Sequence, residues 1–276
     1  MTTARTTASA APTTTTAGRL RALARAETTL LLRNRTALLT ALALPLLLTG
    51  AVRGLLEQQA ADHPGLDVDA ALVPGVSGIV LMFVVYYNLT ASYVARRGEL
   101  VLKRLRTGEA RDPEILVGTA VPSVLLALLL CAVLGVGAAL LLDLPAPVNP
   151  PLMVLALALA LALLIALAAL SSAFTRTVES AGVTTLPVLL LAQFGSGLLV
   201  PLDAMPERLA DLCRALPTTA AFQLLRLGWF GTTGSAPATG FLGSWGAAAP
   251  QLGLAVLWAV LAWWAARRWF RWEPRR

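Results

Sequence analysis

Few side chains in this sequence could carry out catalysis. His63 is the only histidine, and the only lysine, Lys103, follows no glycine-rich phosphate loop. The stretch around Ser196 lacks the G-x-S-x-G spacing of a nucleophile elbow. These observations argue against a histidine-based hydrolase, a histidine-rich metal site and a nucleotide site of the G-x-x-x-x-G-K-[ST] type. We therefore predict that the chain is not an enzyme and holds no metal or cofactor of its own.

Polar and aromatic side chains within long apolar stretches are the second group that could do chemistry. Polar groups are costly in lipid, so they either bond neighbouring helices or line a path for a transported molecule. The sequence leaves both roles open. The candidate path residues are Tyr86, Tyr87, Asn88, Gln193, Phe194 and Ser196.

The most charged connection, residues 96–114, contains a short amphipathic pattern. Glu99 precedes Lys103 by four positions, and Leu102 and Leu105 are three positions apart, which favours a helix with an apolar ridge. Such a helix either docks a partner or lies as a solvated loop held at the membrane by its positive charge. The docking candidates are Arg97, Gly98, Glu99, Leu102, Lys103, Arg104, Leu105 and Arg106.

Six long apolar stretches are the elements that must position these residues. Apolar residues make up 57% of the 276 positions and charged residues 13%, against roughly 25% charged residues in soluble domains. Because about 20 helical residues cross a hydrocarbon core of roughly 30 Å, the stretches predict an all-α polytopic membrane protein. The six predicted transmembrane helices are residues 37–56, 74–95, 117–142, 150–174, 182–201 and 247–266.

The distribution of charge predicts how these helices are oriented. Arginines precede the first span and follow the second, fourth and sixth spans, whereas the opposite connections are acidic or neutral, as residues 57–69 after the first span and Asp143 after the third show. Since cytoplasmic loops carry the excess of basic residues, we predict that both termini are cytoplasmic (N-in, C-in). We expect the protein in the plasma membrane, in bacteria the inner membrane. The net charge of +7 is scattered among apolar stretches rather than gathered on one face, which argues against a nucleic-acid partner.

The remaining segments complete the predicted organisation. Residues 1–17 are rich in Thr and Ala and predict a disordered cytoplasmic tail. Residues 18–35 alternate leucines with arginines, which predicts an amphipathic helix along the cytoplasmic interface before the transmembrane domain of residues 36–276. Residues 201–226 are too polar to span and too apolar for a free loop, so we predict an outer re-entrant helical hairpin between the fifth and sixth spans.

Three segments of the chain resemble the membrane subunit of type-2 ABC exporters, which move drugs, lipids or polysaccharides. The resemblance covers most of residues 18–276. Its segments are Leu32 to Arg35; Arg97 to Arg106 with Pro113 to Leu116; and Gly197 to Pro201 with Met205-Pro206 and Leu216-Pro217. Family members often carry an acidic stretch before the glycine of the second segment, where this chain has Ala95, Arg96 and Arg97.

The resemblance implies an assembly in which this chain pairs with itself or with a paralogous permease. Two copies of a separate cytoplasmic ABC ATPase would bind ATP and Mg²⁺, and the interfacial helix and residues 97–106 would receive their motion. We predict outward export of a small hydrophobic or amphipathic compound, as in drug efflux and resistance. The alternatives are a lipid or polysaccharide exporter subunit, a noncatalytic membrane scaffold or immunity protein, and an ion-driven transporter. The last is disfavoured because the spans hold almost no ionisable residues.

Overall fold

The computed structural model of the protein describes residues 18, 25, 29, 47, 50–58, 60, 61, 68–107, 111–142, 144–200, 202–234 and 237–273. Within these ranges the chain forms helices and no strands. The predicted tail of residues 1–17, most of the predicted interfacial helix and much of the predicted first span lie outside the described residues. Residues 50–58 are helical, as predicted for the end of that span.

The first membrane-length rod in the described chain is built from three consecutive segments. Helix α1 (Val68–Val80) continues through a π-helical turn (Leu81–Tyr87) into α2 (Asn88–Gly98). The rod from Ala71 to Gly98 is long and apolar enough to cross a membrane. It contains residues 74–95, which the sequence predicted as the second span, and extends beyond them at both ends.

Leu100 ends this rod by turning the chain. Its φ of 59° lies in the left-handed region, and it is the only residue other than glycine with a positive φ among the described residues. The turn leads into the short helix α3 (Val101–Arg106). The amphipathic pattern of the sequence had predicted this helix.

Three further helices are long and apolar enough to span a membrane: α4 (Asp112–Leu141), α5 (Pro150–Phe174) and α9 (Phe241–Trp269). Their starts follow from capping chemistry. At α4 the Glu114 carboxylate accepts a hydrogen bond from the Arg111 backbone N–H at 3.2 Å, and at α5 the Asn149 Oδ1 accepts one from the Leu152 N–H at 3.0 Å. Four candidate spans are therefore present in the described residues, and the total of six remains a prediction.

The predicted fifth span is wrong at its carboxyl end. Helix α6 (Ala181–Gly195) has 15 residues rather than continuing to residue 201, and at 1.5 Å per residue it is about 22 Å long. The apolar run continues to Val200, but the chain bends from Ser196 and Gly197 adopts a φ of +74°. A left-handed residue cannot continue a right-handed helix, so hydrophobicity overestimated its length.

Residues 202–230 form short helices, as the intermediate polarity of this segment predicted. A single 3₁₀ turn (Leu202–Ala204) is followed by α7 (Glu207–Arg214) and α8 (Pro217–Phe230). Helix α7 exposes most of its charged side chains, whereas most of α8 is buried. Their re-entry into a membrane from the outer side stays a prediction.

The core is centred on α5, which packs against α2, α8, α9 and the π-helical turn. Buried alanines along α5, among them Ala156, Ala160 and Ala169, allow neighbouring helices to approach closely. Residues Val52 and Leu56 pack on α1 in a second cluster.

The bundle formed by these helices has two ends. The basic end contains α3 and the carboxyl ends of α2, α5 and α9, and the opposite end contains the amino ends of α5 and α9.

Candidate functional site

Helix α3 is attached to the basic end through one leucine. Leu102 is fully buried, while Lys103, Arg104 and Arg106 are exposed and Leu105 is half-buried. The apolar ridge that sequence reasoning assigned to a partner is therefore partly covered by the chain itself. The exposed side chains of α3 are the cations Lys103, Arg104 and Arg106.

Arg97 lies inside the bundle rather than on this surface. Its side chain is 2% exposed, and its guanidinium donates hydrogen bonds to the backbone carbonyls of Ser172 at 2.8 Å and Thr175 at 2.6 Å. These carbonyls belong to the carboxyl end of α5, where helical C=O groups lack intrahelical partners and a positive charge is favourable. Arg97 therefore joins the end of α2 to the end of α5. Gly98 and Glu99, which follow it, are exposed.

The segment after α9, residues 270–273, also contacts this end. The ring of Phe270 packs edge-on against Tyr93 of α2 with centroids 5.8 Å apart, and against Trp272 at 4.9 Å. Lys103 Nζ lies 2.7 Å from Glu273 Oε1. Arg106 lies 4.9 Å above the Trp272 ring and pairs with Asp112 at 3.1 Å.

These contacts border a cavity of about 660 Å³ on the basic end. The lining residues are Lys103, Arg106, Thr107, Arg271, Trp272 and Glu273. Sequence reasoning missed this cavity because its lining comes from two segments, residues 103–107 and 271–273, that are more than 160 positions apart. The aromatic residues interspersed among the last arginines were the only local signal.

The path candidates of the first rod lie at and just after the π-helical turn. The Tyr86 hydroxyl is 2.9 Å from the Ser171 hydroxyl of α5, so this side chain bonds two helices. Tyr87 is exposed and Asn88 is half-buried. The structure thus separates Tyr86, which packs inward, from Tyr87, which faces outward.

The remaining path candidates lie at the carboxyl end of α6, a helix that packs against the same π-helical turn. Phe194 is half exposed, whereas Gln193 and Ser196 are buried. The Ser196 hydroxyl is 2.5 Å from the Thr218 hydroxyl. Two sets of residues that are a hundred positions apart are therefore on adjacent elements.

Residues of α8 complete a polar cluster that sequence reasoning found only in part. The Thr219 hydroxyl lies 3.2 Å from the Ser196 Oγ and 2.7 Å from the Cys213 carbonyl. One turn later, Gln223 lies next to Gly197, where an added Cβ would be 3.0 Å from its Nε2. We define the polar cluster as Ser196, Thr218, Thr219 and Gln223, together with Gln193, which lies three positions before Ser196 at the end of α6. The helical spacing of its α8 members was the signal available in the sequence.

Two amides of the polar cluster have incomplete hydrogen bonding. Among the residues that the structure describes, the Nε2 and Oε1 of Gln193 and the Oε1 of Gln223 have no hydrogen-bond partner, although these atoms are buried. Most buried polar atoms in proteins are bonded, so such groups suggest an additional partner. Among the described residues, no group of three or more His, Cys, Asp or Glu side chains could hold a metal ion.

Comparison with protein families places the chain next to known transport proteins. A family model described as "ABC-2 type transporter" matches residues 18–230, which is most of the chain. No curated protein matches the sequence. The matched range includes α3, the π-helical turn, α6 and the polar cluster.

Proposed function

Because the chain belongs to the ABC-2 type transporter family, and is therefore the permease subunit of an ABC transporter, we propose that it exports a small hydrophobic or amphipathic compound. A separate ABC ATPase, present in two copies, supplies the energy. The observation that carries this proposal is the match to the family model over residues 18–230. Four apolar helices of membrane-spanning length and the exposed cations of α3 support it.

The basic end faces the cytoplasm in this proposal. Two segments that are far apart in the sequence, α3 and the last turn of α9 with Arg267 and Arg268, bring exposed basic residues to the same end of the bundle. The excess of Lys and Arg in cytoplasmic segments supports this orientation. A carboxyl terminus in the cytoplasm follows from it.

The ATPase docks on the exposed cations of α3. Leu102 anchors α3 in the bundle, and Arg97 bonds the adjoining end of α2 to α5. A force on α3 would therefore displace α2 and α5 together. Closure of the ATPase dimer would in this way bias the membrane helices between two arrangements.

The compound moves along the surface shared by the π-helical turn and α6. Exposed aromatic rings at Tyr87 and Phe194 provide apolar contact, and the half-buried Asn88 directly follows Tyr87 in the chain. π-Helical turns are often found at functional sites, which supports a role for this one. The same face of α6 exposes Leu190 and Leu191, so a second copy or a paralogous permease would be needed to enclose the path.

Reversing one charge on α3 tests the docking. We expect Arg104→Glu to reduce co-purification of the ATPase by about tenfold or more. The new carboxylate would face the acidic groups with which the ATPase meets the cations of α3, and like charges across an interface are strongly unfavourable. The protein is co-expressed with candidate ABC ATPases, beginning with any that a neighbouring reading frame encodes. Retained ATP-dependent export of an amphipathic dye from proteoliposomes by this variant would contradict the proposal.

The matched control is Arg208→Glu. Arg208 is exposed on α7, which lies outside the basic end. This variant should keep full co-purification and export. Equal losses in both variants would show a general effect of charge reversal and would count against docking at α3.

A further inference from the structure

The cavity between α3 and residues 270–273 has a cationic lining. Lys103, Arg106 and Arg271 contribute three positive charges, and Glu273 contributes one negative charge. Asp112 offsets part of the charge of Arg106 from outside the lining. No carboxylate in the described part of the chain lies within ion-pair distance of Arg271. The cavity therefore favours an anion, with Arg271 as the first contact.

The position of the cavity along the bundle points to the surface of the bilayer. It lies just beyond the end of α9, whose last residues include the exposed Trp264 (61%) and Trp269 (47%), with their rings 5.6 Å apart. Exposed tryptophans at the end of a membrane-length helix are typical of the headgroup layer. Arg271 follows Trp269 by two positions, so its guanidinium lies at about the depth of lipid phosphates.

The chemistry of the lining fits a phosphate ester with an apolar neighbour. Arginine guanidinium groups bind phosphate oxygens through charged, often bidentate hydrogen bonds. The Trp272 ring supplies an apolar wall beside them, and one face of it is covered by Arg106. A headgroup seated here would contact α3 and the segment after α9 at the same time.

We propose that this cavity binds the headgroup phosphate of an anionic phospholipid. Basic pockets at the cytoplasmic surface of membrane proteins attract such headgroups. The bound lipid adds a third contact between α3 and residues 271–273, beside the Lys103–Glu273 pair and the stacking of Arg106 on Trp272. The site does not depend on an ATPase, because all of its lining belongs to this chain.

Lipid retention by the full-length protein in detergent tests the proposal. The protein is purified, incubated with phosphatidylglycerol or phosphatidylcholine, washed and analysed by native mass spectrometry. We expect retention of phosphatidylglycerol over phosphatidylcholine. Arg271→Gln should lower this retention about fivefold, the effect of one cation near a lipid surface, and Arg271→Lys should restore most of it.

The control is Arg268→Gln, which removes an exposed cation from the last turn of α9 but not from the cavity. It should retain phosphatidylglycerol like the unmodified protein. Equal retention by the Arg271→Gln and Arg268→Gln variants would overturn the proposal. Thermal unfolding of each variant in detergent establishes that the comparison is made on folded protein.

Two further measurements distinguish other occupants. Inorganic phosphate at millimolar concentration should not displace the lipid, and complete displacement would instead assign the cavity to free phosphate. Arg271→Gln should keep ATPase co-purification. If the Arg271→Gln variant loses the ATPase but retains the lipid as before, the cavity binds an acidic protein segment. That result would overturn the lipid site without contradicting docking on α3.

Discussion

Arg97 shows how one side chain connects distant parts of this protein. An arginine is expensive to bury unless its donors are bonded, and here two buried carbonyls at the end of α5 accept from it. The sequence analysis counted Arg97 among the docking residues because it belongs to the charged connection of residues 96–114. Charge pattern cannot reveal which arginine of a cluster turns inward, since the decisive partners are Ser172 and Thr175, more than 70 positions away.

Replacing Gln193 tests whether the polar cluster serves transport or packing. Gln193 is 7% exposed, and no described residue forms a hydrogen bond with its side-chain amide. Burying an unbonded amide costs about 1–3 kcal/mol, so we expect Gln193→Leu to raise the free energy of unfolding by about 1 kcal/mol. If the amide contacts the compound, ATP-driven export from proteoliposomes should fall while the thermal unfolding temperature rises.

Gln251 offers the matched control for this variant. Its Oε1 is also buried without a hydrogen bond, but it lies on α9, outside the polar cluster. Gln251→Leu should give a similar gain in stability with unchanged export. If Gln193→Leu leaves export unchanged, the polar cluster serves helix packing and not transport.

At the scale of the elements, the contact between α1 and the turn after α6 is closely packed. A Cβ added at Gly75 would lie 2.7 Å from the backbone oxygen of Leu198. Backbone cannot move as easily as a flexible side chain, so Gly75→Ala should lower the free energy of unfolding by about 1–3 kcal/mol. Thermal unfolding in detergent measures this effect.

The control is Gly253→Ala on α9, where an added Cβ meets no atom within 4 Å. Alanine has the higher helix propensity, so this variant should be neutral or more stable, by up to about 1 kcal/mol. Equal stability of the two variants would contradict the close contact between α1 and Leu198.

Apolar runs predicted most of the long helices because lipid-facing helices need little beyond length and hydrophobicity. The described ends of α4, α5 and α9 therefore lie near the predicted ones. The end of α6 was missed because it depends on the left-handed conformation of Gly197 and on a hydrogen bond from the Leu199 N–H to the Gln193 carbonyl. Neither property changes the hydrophobicity of the sequence. Three of the five residues of the polar cluster, Thr218, Thr219 and Gln223, were missed for a related reason, because only folding brings α8 next to α6.

At the scale of the whole molecule, the orientation in the membrane can be tested with two single cysteines. Thr107 is exposed at the basic end and Ala238 is exposed before α9 at the opposite end. In a background of Cys131→Ser and Cys213→Ala, we expect a membrane-impermeant maleimide to label Ala238→Cys in intact cells. Thr107→Cys should be labelled only after the cells are permeabilised. The reverse pattern would contradict a cytoplasmic basic end.

Helix α5 is hydrogen-bonded at both ends to other parts of the bundle. Arg97 holds its carboxyl end, and at its amino end the Asn149 N–H donates to the Gly228 carbonyl at 2.8 Å and the Val148 N–H to the Trp229 carbonyl at 3.0 Å. With 25 residues, α5 is a continuous helix about 37 Å long. A displacement applied at one face of the membrane would therefore reach α8 at the other face as a rigid-body shift, with no need for a flexible loop to relay it.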